Sequence, residues 1–519
     1  MIPVILAVLA ASVVSADTVD VLIRGGTVYD GSGAAAVVAD VGVRGDRIVF
    51  MGDAAAEGVA GRRVIEAEGL AVVPGFIDPH AHAQGDLASD ERGRRENLNY
   101  LMQGVTTVVV GNDGHGTWDV AGARADFADP GIGTNAALLV GFGSVRGEVM
   151  GMSDAQAAPE QIEAMSALVD RAMRDGAVGL ATGLFYAPQS YSTTDEVVAL
   201  ARVAARHGGV YDSHLRDESS YTIGLVAAVE EAIGIGEAAG IPVNISHLKA
   251  LGVDVWGASD SVVAVIRAAR RAGMRVTADQ YPYEASGSSV GASLLPRWAE
   301  AGGHDSLVAR MDDPAIRSRL ITEMRDNLRR RGGAASLLIT GGRDETIRGK
   351  TLQDVAGERG LDPVDAALEI IRAGGAGVAS FNMNEDDIRT FMRAEFVMTG
   401  SDGSDGHPRK YGTFPRKIRH YVLEEGVLGM ERMIQSATSQ PAEVFGLSGR
   451  GNIAEGYFAD IAVFDPATIR DEATFMEPRR LATGMRYVMV NGVLAVDDGV
   501  PTHTLTGRTL TRGDARPIS

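Results

Sequence analysis

One pattern constrains the fold of this chain more than any other: short apolar runs alternate with helical stretches along its middle. Each run ends in polar residues, and eight such runs are typical of strands. The predicted strands cover residues 71–82, 106–113, 135–143, 177–184, 209–216, 243–248, 275–283 and 396–403. Helical patterns separate them, for example at 166–176, 222–240 and 260–273. Eight strands with intervening helices predict an α/β fold, a parallel (β/α)8 barrel of the TIM type.

The chain is long enough for a large enzyme domain and a smaller companion, since it has 519 residues. We assign residues 71–444 to the barrel. The gap between the seventh and eighth predicted strands exceeds an ordinary crossover. An inserted subdomain is therefore predicted at about residues 290–395, before the last barrel strand.

Both ends of the chain share a sequence style that differs from the middle. Residues 20–53 alternate short apolar runs with Gly and Asp turns, which is typical of hairpin-rich β structure. Residues 456–466 and 486–499 repeat that style. We therefore predict that residues 17–70 and 445–519 together form one small β-sandwich domain.

Charge and cysteine content exclude several classes of function. The chain carries 68 acidic and 49 basic residues, a net charge of -19, which disfavours nucleic acid as a partner. It contains no cysteine, which excludes disulfides, thiolate nucleophiles and Cys-bound zinc. Any metal must therefore be held by histidines and carboxylates.

The first sixteen residues, MIPVILAVLAASVVSA, are uncharged and almost wholly apolar. With an A-x-A-like site near Ala16, they resemble a signal peptide, although the usual basic start is missing. A buried strand or an uncleaved anchor is the alternative. No later stretch is long and apolar enough to cross a membrane. We expect residues 1–16 to be removed and the mature chain, without a membrane span, to be secreted or periplasmic.

Polar residues with metal-binding potential fall at the ends of the predicted strands. They are His80, His82, Asp113, His214, His247 and Asp402. In a parallel barrel, the carboxyl ends of all strands form one face, and that face carries the active site. These side chains, far apart in sequence, should therefore converge.

Residue type and spacing favour a metal site over isolated structural roles. His80 and His82 are two residues apart on a strand, so both imidazoles point to the same side. Neutral imidazole is a common metal ligand. Asp113 stands in an Asn-Asp-Gly sequence, so the alternative for it is a simple turn. His115, in the adjoining Gly-rich loop, is a weaker candidate.

Asp402 is the candidate general acid and base. A metal-bound water needs a proton acceptor and a leaving amine needs a donor, and one carboxylate can do both in turn. The alternative is a loop carboxylate in a Gly/Ser-rich turn, a role that Asp405 could share.

Basic and tyrosine side chains in the same loops could bind an anionic substrate. The candidates are Lys249, Arg216, Arg409, Tyr191, Tyr281 and Tyr283. Arginine and lysine would attract a carboxylate, and tyrosine would add a hydroxyl donor. Pairing with local acids, or packing in the case of tyrosine, is the competing interpretation.

Several of these motifs occur together in one known family. PGFIDPHAH, YDSHLRDES, ISHLKALG, DQYPYEASG and HPRKYGTFPR resemble the N-acyl-D-amino-acid deacylases of the amidohydrolase superfamily. The resemblance runs from about residue 20 to 470. It implies zinc-dependent hydrolysis of an N-acyl-D-amino acid, a small molecule with a carboxylate, to a carboxylic acid and a free D-amino acid.

The resemblance also implies residue roles. Asp113, His214 and His247 would bind metal, with His80 and His82 framing a second position, so one or two zinc ions are expected. Asp402 would be the acid/base. The substrate α-carboxylate would contact Lys249, Arg409, Tyr191 and Tyr283.

The chain departs from the family at one ligand. The family usually has GNCG where this sequence has GNDG, so Asp113 replaces a cysteine. Aspartate is a harder ligand than thiolate and has two oxygens that could bridge two ions, so another divalent metal is an alternative to zinc.

Two other functions compete with deacylation. A cyclic amidase or dipeptidase of the same superfamily would commonly use a carboxylated lysine on the fourth barrel strand, and residues 177–188 contain no lysine. A non-catalytic scaffold would be expected to have gaps in its ligand set.

Overall fold

A computed structural model describes residues 17–513 of the chain. The predicted signal peptide, residues 1–16, lies outside the described residues, as do residues 514–519 of the predicted β-sandwich range. Within the described part, no helix combines the length and apolar character needed to cross a bilayer.

The centre of the molecule is a parallel barrel, as the alternating pattern predicts. Its eight strands, numbered here as barrel strands one to eight, are Phe76–Asp78, Val105–Val110, Asn135–Gly141, Gly179–Gly183, Val210–His214, Val243–Ile245, Val276–Gln280 and Val397–Thr399. They neighbour one another in this order, and every pairing is parallel. Between strands one and eight, the Asp402 amide donates to the His80 carbonyl at 2.9 Å. The barrel prediction is confirmed.

Helices follow the barrel strands and cover the outside of the barrel. They are Gln84–Leu87, Arg92–Arg95, Leu98–Leu101, Val120–Ala128, Phe142–Met150, Pro159–Arg174, Thr194–Arg206, Leu225–Ala239, Ser259–Arg271, Glu385–Met392, Arg409–Arg416, Met430–Ala437 and Ser439–Phe445, with a π-helix at Lys417–Glu424. Local sequence sets their ends: Thr193 caps Thr194–Arg206 by accepting from the Glu196 amide. Gly240, with φ of 70°, terminates Leu225–Ala239.

Strands from both ends of the chain form a single nine-stranded sheet. They are Asp17–Val28, Val37–Arg44, Arg47–Gly52, Val59–Glu66, Ala71–Pro74, Ile461–Phe464, Met485–Val490, Val493–Asp497 and Val500–Pro501, with a short helix at Ala54–Glu57. We call this the end sheet. Its own apolar core includes Val41, Ile65 and Met489, which come from both chain ends.

The junction between the end sheet and the barrel differs from the prediction. Residues 71–82 were expected to form one barrel strand, but Ala71–Pro74 belongs to the end sheet, where it pairs antiparallel with Ile461–Phe464. The barrel strand begins at Phe76. Pro74 has no amide hydrogen to donate to a sheet. A Cβ at Gly75 would lie 2.2 Å from the Thr106 hydroxyl oxygen, so only glycine fits where the chain passes from the end sheet to the barrel.

The last described segment leaves the end sheet. Thr509–Leu510 pairs parallel with barrel strand three, so the tail assigned to the small domain also contacts the barrel.

The inserted region forms a subdomain with its own core. A three-stranded sheet, in the order Ala285–Ser289, Ala376–Phe381, Leu337–Gly342, packs with helices. These helices are Val290–Leu294, His304–Asp312, Pro314–Arg330, Leu352–Arg359 and Pro363–Arg372, with 3-10 turns at Arg297–Glu300, Ala334–Ser336 and Glu345–Ile347. A buried apolar cluster that includes Leu320 and Ile339 lies between them. The first strand, Ala285–Ser289, also borders the central cavity.

Candidate metal centre and active site

The six polar residues that follow the barrel strands come together at one face. The ligand atoms of His80, Asp113, His247 and Asp402 all lie within 4.8 Å of one another. A second group, formed by His214, Glu218 and His247, meets the same limit. His247 belongs to both groups, so the two candidate metal positions are neighbours.

The histidine pair of barrel strand one faces two carboxylates. His80 Nε2 lies 3.4 Å from Asp113 Oδ1 and 3.6 Å from Asp402 Oδ1. His82 Nε2 lies 3.0 Å from Asp402 Oδ1 and 3.4 Å from Asp113 Oδ2. Both residues lie beyond the strand, which ends at Asp78, yet both rings face the same two carboxylates.

Asp113 lies between the two groups of histidines. Its Oδ1 is 3.2 Å from His247 Nε2 and 3.5 Å from His214 Nδ1, while its Oδ2 faces His82. His214 Nδ1 and His247 Nε2 are only 2.8 Å apart. Oδ1 thus faces His80, His214 and His247 together, while Oδ2 faces His82.

The backbone at three of these residues is held in the left-handed region. The φ angles are 58° at Asp113, 36° at His247 and 46° at Asp402. Such conformations cost about 1–3 kcal/mol each in non-glycine residues and persist where surrounding contacts enforce them. At His247 the enforcing contact is a hydrogen bond from its amide to Asp279 Oδ1 at 2.9 Å. Each side chain is thereby turned inward immediately after its strand ends.

The electrostatics of the cluster favour ionised carboxylates. Burial raises the pKa of Asp113, but His80 and His247 outweigh it and hold that pKa well below its usual value. Burial likewise raises the pKa of Asp402, but Arg409 and His247 lower it further, so the net shift is downward. The site is therefore a concentrated negative charge enclosed by imidazoles.

The same charge interactions raise the pKa values of two histidines. Burial and Lys249 lower the pKa of His247, yet Glu218, Asp402 and Asp113 outweigh them and raise it to about 10. Burial lowers the pKa of His82, while hydrogen bonds and charge from Asp113 and Asp402 raise it to about 9. The carboxylates stabilise positive charge at the imidazole nitrogens. A bound divalent metal ion would provide that positive charge in place of protons on the rings.

Unsatisfied ring nitrogens test whether a metal fits. Within residues 17–513, both ring nitrogens of His80 and Nε2 of His214 are buried without a hydrogen-bond partner. Buried polar atoms in native proteins are nearly always satisfied, so these nitrogens need a partner of another kind. Tetrahedral zinc bound by imidazole and carboxylate matches this donor set.

The sequence interpretation missed Glu218, which completes the second ligand group. Its Oε1 lies 2.6 Å from Lys249 Nζ and 3.1 Å from His247 Nδ1, and its Oε2 lies 3.7 Å from His214 Nε2. Burial raises the pKa of Glu218, but Lys249 and His214 outweigh burial and lower it. Glu218 stands four residues after His214 in YDSHLRDES, so its place in the same motif was an available signal.

A buried hydrogen-bond network beneath the ligands was also missed. Asn244 Nδ2 donates to Asp212 at 2.7 Å and to Asp279 at 2.8 Å. Asp279 is the next-to-last residue of barrel strand seven. Its Oδ1 lies 3.8 Å from His80 Nδ1 and accepts a hydrogen bond from the His247 amide. The network orients two candidate ligands at once, and the carboxylate at the end of a seventh strand was the signal for it.

Two predicted cations reach the site, and each is already paired. Lys249 Nζ contacts Glu218 at 2.6 Å and His247 Nδ1 at 2.8 Å. Arg409 Nη1 lies 2.7 Å from Asp402 Oδ2, and its guanidinium lies 4.5 Å from the centre of the Tyr281 ring. Both residues line the central cavity, where a substrate anion could compete for their remaining donors.

Three other predicted substrate residues are used elsewhere, which corrects their expected position. Arg216 pairs with Glu231 at 2.9 Å, and the Tyr191 hydroxyl donates to the Arg297 carbonyl at 2.9 Å. Tyr283 packs edge-on against His407, with ring centres 5.5 Å apart. None of the three lines the central cavity.

The weaker candidate, His115, does line the cavity. Its ring lies 6.0 Å from that of Tyr186, but it joins neither metal-binding group.

The central cavity has a volume of about 340 Å³ and lies directly over the metal cluster. The barrel contributes Arg409, Phe185, Tyr186 and all the candidate ligands except the more deeply buried His80. The inserted subdomain contributes the other wall, with Ser286–Ser289, Ala292 and Arg331. A small organic molecule therefore fits between the metal cluster and the insertion.

Comparison with known proteins agrees with this geometry. Residues 63–496 match the sequence model of the amidohydrolase family. D-aminoacylase of Alcaligenes xylosoxydans xylosoxydans is 36% identical over 520 residues, which cover 95% of this chain and 98% of that protein.

Solved structures agree as well. A crystal structure of D-aminoacylase matches with a TM-score of 0.82 and 34% identity, over 95% of this chain and 100% of the other. The N-acyl-D-glutamate deacylase of Bordetella bronchiseptica was solved with zinc and a phosphonate inhibitor that mimics the tetrahedral intermediate. It matches with a TM-score of 0.80 and 32% identity, over 95% and 100% of the two chains.

Proposed function

The chain belongs to the N-acyl-D-amino-acid deacylase family of the amidohydrolase superfamily, and from this membership we propose that it hydrolyses N-acyl-D-amino acids to a carboxylate and a free D-amino acid. One observation carries the proposal. The buried His/Asp cluster, which includes Asp402, lies at the floor of a cavity of about 340 Å³. The D stereochemistry of the substrate comes from the relatives alone.

Zinc, in one or two ions, is the proposed cofactor. Asp113, His214 and His247 would hold one ion, and His80 and His82 would help to hold a second. Bound zinc supplies Lewis-acid polarisation of the scissile carbonyl and activation of water. The unsatisfied nitrogens of His80 and His214 support this assignment.

Asp402 is the proposed proton carrier. Arg409 and His247 hold its pKa below the usual value against the effect of burial, so the carboxylate is ionised at neutral pH and ready to accept a proton. It accepts that proton from the attacking water and delivers it to the leaving nitrogen as the amide C–N bond breaks. A substrate anion that draws Arg409 away from Asp402 would raise the Asp402 pKa and favour the delivery.

Arg409 and Lys249 are proposed to bind the α-carboxylate of the substrate. Both are buried cations that line the cavity. The guanidinium can grip a carboxylate with two parallel hydrogen bonds, whereas the ammonium adds a point charge.

The experiment is hydrolysis of a panel of N-acetyl-D- and N-acetyl-L-amino acids, with metal content measured on the same protein sample. We expect cleavage of D substrates, little or no cleavage of their L enantiomers, and one to two equivalents of zinc. The matched control is the same protein after chelation and after zinc is restored. Preferential cleavage of a cyclic amide or of L substrates would contradict the proposal.

We also propose that residues 1–16 are a signal peptide and that the mature enzyme acts outside the cytoplasm. The uncharged apolar sequence followed by small residues near Ala16 supports this. N-terminal sequencing of protein recovered from the periplasm or medium of a bacterial host tests it. A chain that begins near Asp17 is expected, and a chain that keeps Met1 inside the cell contradicts it.

A further inference from the structure

Arg331 is a buried cation in the wall of the central cavity. It follows the helix Pro314–Arg330 in the inserted subdomain, is only 2% exposed and lines the cavity above the metal cluster. None of the family motifs in the sequence includes it. Its role therefore has to be inferred from its surroundings.

Within residues 17–513, the hydrogen bonds of the Arg331 guanidinium all go to neutral acceptors. Its Nε donates to the Tyr221 hydroxyl at 2.7 Å and to the Ser293 carbonyl at 3.2 Å. In the amide orientation that satisfies the neighbours of Asn382, that side-chain oxygen accepts from Nη1 at 3.1 Å. No carboxylate of residues 17–513 lies within 4.0 Å of the guanidinium.

The other two cations that line the cavity each have a carboxylate partner, whereas Arg331 has none. Lys249 pairs with Glu218 at 2.6 Å, and Arg409 pairs with Asp402 at 2.7 Å. The third carboxylate of the cavity, Asp113, faces the histidines. A buried charge without a counterion is costly, so a ligand that supplies the opposite charge would be stabilised beside Arg331.

The wall around Arg331 is polar and suits an anion. Ser286, Ser288 and Ser289 line the same cavity, and Tyr221 brings its hydroxyl to the guanidinium. Hydroxyl and guanidinium donors would satisfy the oxygens of a carboxylate, whereas an aliphatic side chain would leave them unsatisfied.

We propose that Arg331 binds a second carboxylate of the substrate, so that the enzyme prefers dianionic N-acyl-D-amino acids. This inference rests on the proposed deacylase function and assigns the α-carboxylate to Arg409 and Lys249. The second carboxylate can come from an acidic side chain, as in D-aspartate and D-glutamate derivatives, or from a dicarboxylic acyl group. The chemistry that Arg331 recognises is the same in both cases.

A purely structural role for Arg331 makes a different prediction. The residue stands at the C-terminus of the helix Pro314–Arg330, where a cation is favourable. Loss of that role would lower thermal stability and reduce activity toward all substrates by the same factor. The ratio of activities between charged and neutral substrates separates the two roles.

The experiment measures kcat/KM of three zinc-loaded proteins, the unaltered enzyme, Arg331→Met and Arg331→Lys, on matched substrates. N-acetyl-D-glutamate and N-acetyl-D-glutamine differ only in the second charge, and N-succinyl-D-alanine carries that charge on the acyl group instead. We expect kcat/KM of the unaltered enzyme to favour a dianion over its neutral partner by roughly 10- to 100-fold, the range for a hydrogen bond to a charged group. Arg331→Met should abolish that preference, mainly through KM, and leave the glutamine substrate within a few-fold. Arg331→Lys should restore part of it.

Arg329→Met is the matched control. Arg329 lies at the same helix end, but it is exposed, pairs with Asp254 at 2.7 Å and does not line the cavity. This variant should keep the full preference. Preference for the glutamate substrate assigns the second carboxylate to the side chain, and preference for the succinyl substrate assigns it to the acyl group.

Two results separate failure of this inference from failure of the proposed function. If neutral N-acyl-D-amino acids are cleaved as well as the dianions by the unaltered enzyme, Arg331 does not recognise a substrate carboxylate, and this holds without any variant. If no N-acyl-D-amino acid is cleaved, the deacylase proposal itself fails. An equal loss on charged and neutral substrates in Arg331→Met also overturns the inference, because it indicates a structural role.

Discussion

Replacement of Asp402 by asparagine tests the proposed chemistry most directly. The carboxylate is buried and contacts three groups: His82 at 3.0 Å, His80 at 3.6 Å and Arg409 at 2.7 Å. Asparagine has almost the same volume, so the cavity keeps its shape. The variant loses the negative charge and the ability to carry a proton.

The structure indicates where the kinetic loss should appear. General acid–base catalysis contributes roughly 100- to 10,000-fold, or about 2.7–5.5 kcal/mol of transition-state stabilisation, and Asp402→Asn should lose that amount in kcat. Without the charge of Asp402, Arg409 keeps only its 3.1 Å hydrogen bond to Ser404 and is freer to bind the substrate carboxylate. We therefore expect KM to stay unchanged or to fall.

The assay measures kcat and KM on the preferred N-acetyl-D-amino acid, together with bound zinc by mass spectrometry. Asp405→Asn is the control, because Asp405 lies in the same loop but its side chain is 65% exposed and pairs with Lys410. The control should stay within a few-fold of the unaltered enzyme. An Asp402→Asn variant with activity within ten-fold of normal would refute the proton-carrier role, and loss of zinc would make Asp402 mainly a ligand.

Three further predictions follow from the site and from one buried lysine. His247→Ala should remove bound zinc and activity together, because His247 belongs to both ligand groups; an active, metal-loaded variant would contradict the assignment. Arg409→Lys should lower kcat/KM for the free acid by about 1.5–3 kcal/mol but change little with the α-amide analogue, and equal turnover of acid and amide would argue against α-carboxylate recognition. Burial, with help from Arg432, lowers the pKa of Lys417 from 10.5 to about 7. Protonated Lys417 is thus less stable in the folded than in the unfolded state. It destabilises the fold by the full amount below about pH 7, and this destabilisation decreases as the pH rises toward 10.5. Lys417→Met should therefore raise the free energy of unfolding by up to about 5 kcal/mol near pH 6 and by much less near pH 10, as measured by denaturant titration; a gain independent of pH would disprove the linkage.

The barrel and the main ligand candidates were predictable because they depend on local pattern and on one topological rule. Strand ends in a parallel barrel converge, so His80 and His247 could be brought together without knowledge of any helix packing. The position of Asp113 and its two-sided contact depend on a left-handed turn after barrel strand two, which Asn-Asp-Gly also favours.

The remaining features depend on long-range contacts that periodicity does not encode. Arg216 was a reasonable candidate at a strand end, but an ion pair with Glu231 on the following helix turns it away from the cavity. Arg331 lies in the insertion, where no strand-end rule applies, and only the folded structure brings it to the cavity. The sequence places two acids side by side in YDSHLRDES, and only the folded loop shows that Glu218 faces His247 while Asp217 accepts from backbone amides.

The junction at Gly75 has a consequence for the order in which the protein is assembled during synthesis. Immediately before Gly75, the end-sheet strand Ala71–Pro74 pairs with Ile461–Phe464, a segment that the ribosome makes nearly four hundred residues later. The strand Ala71–Pro74, which leads into the barrel strand before His80 and His82, is therefore paired on one side only, with Asp17–Val28, until the distal part of the polypeptide has emerged. Because domains tend to fold as they are synthesised, a nascent barrel without that partner would expose an unpaired edge beside its ligand pair. A nascent chain that has not yet reached residue 461 therefore lacks the strand that completes the end sheet beside the start of the barrel.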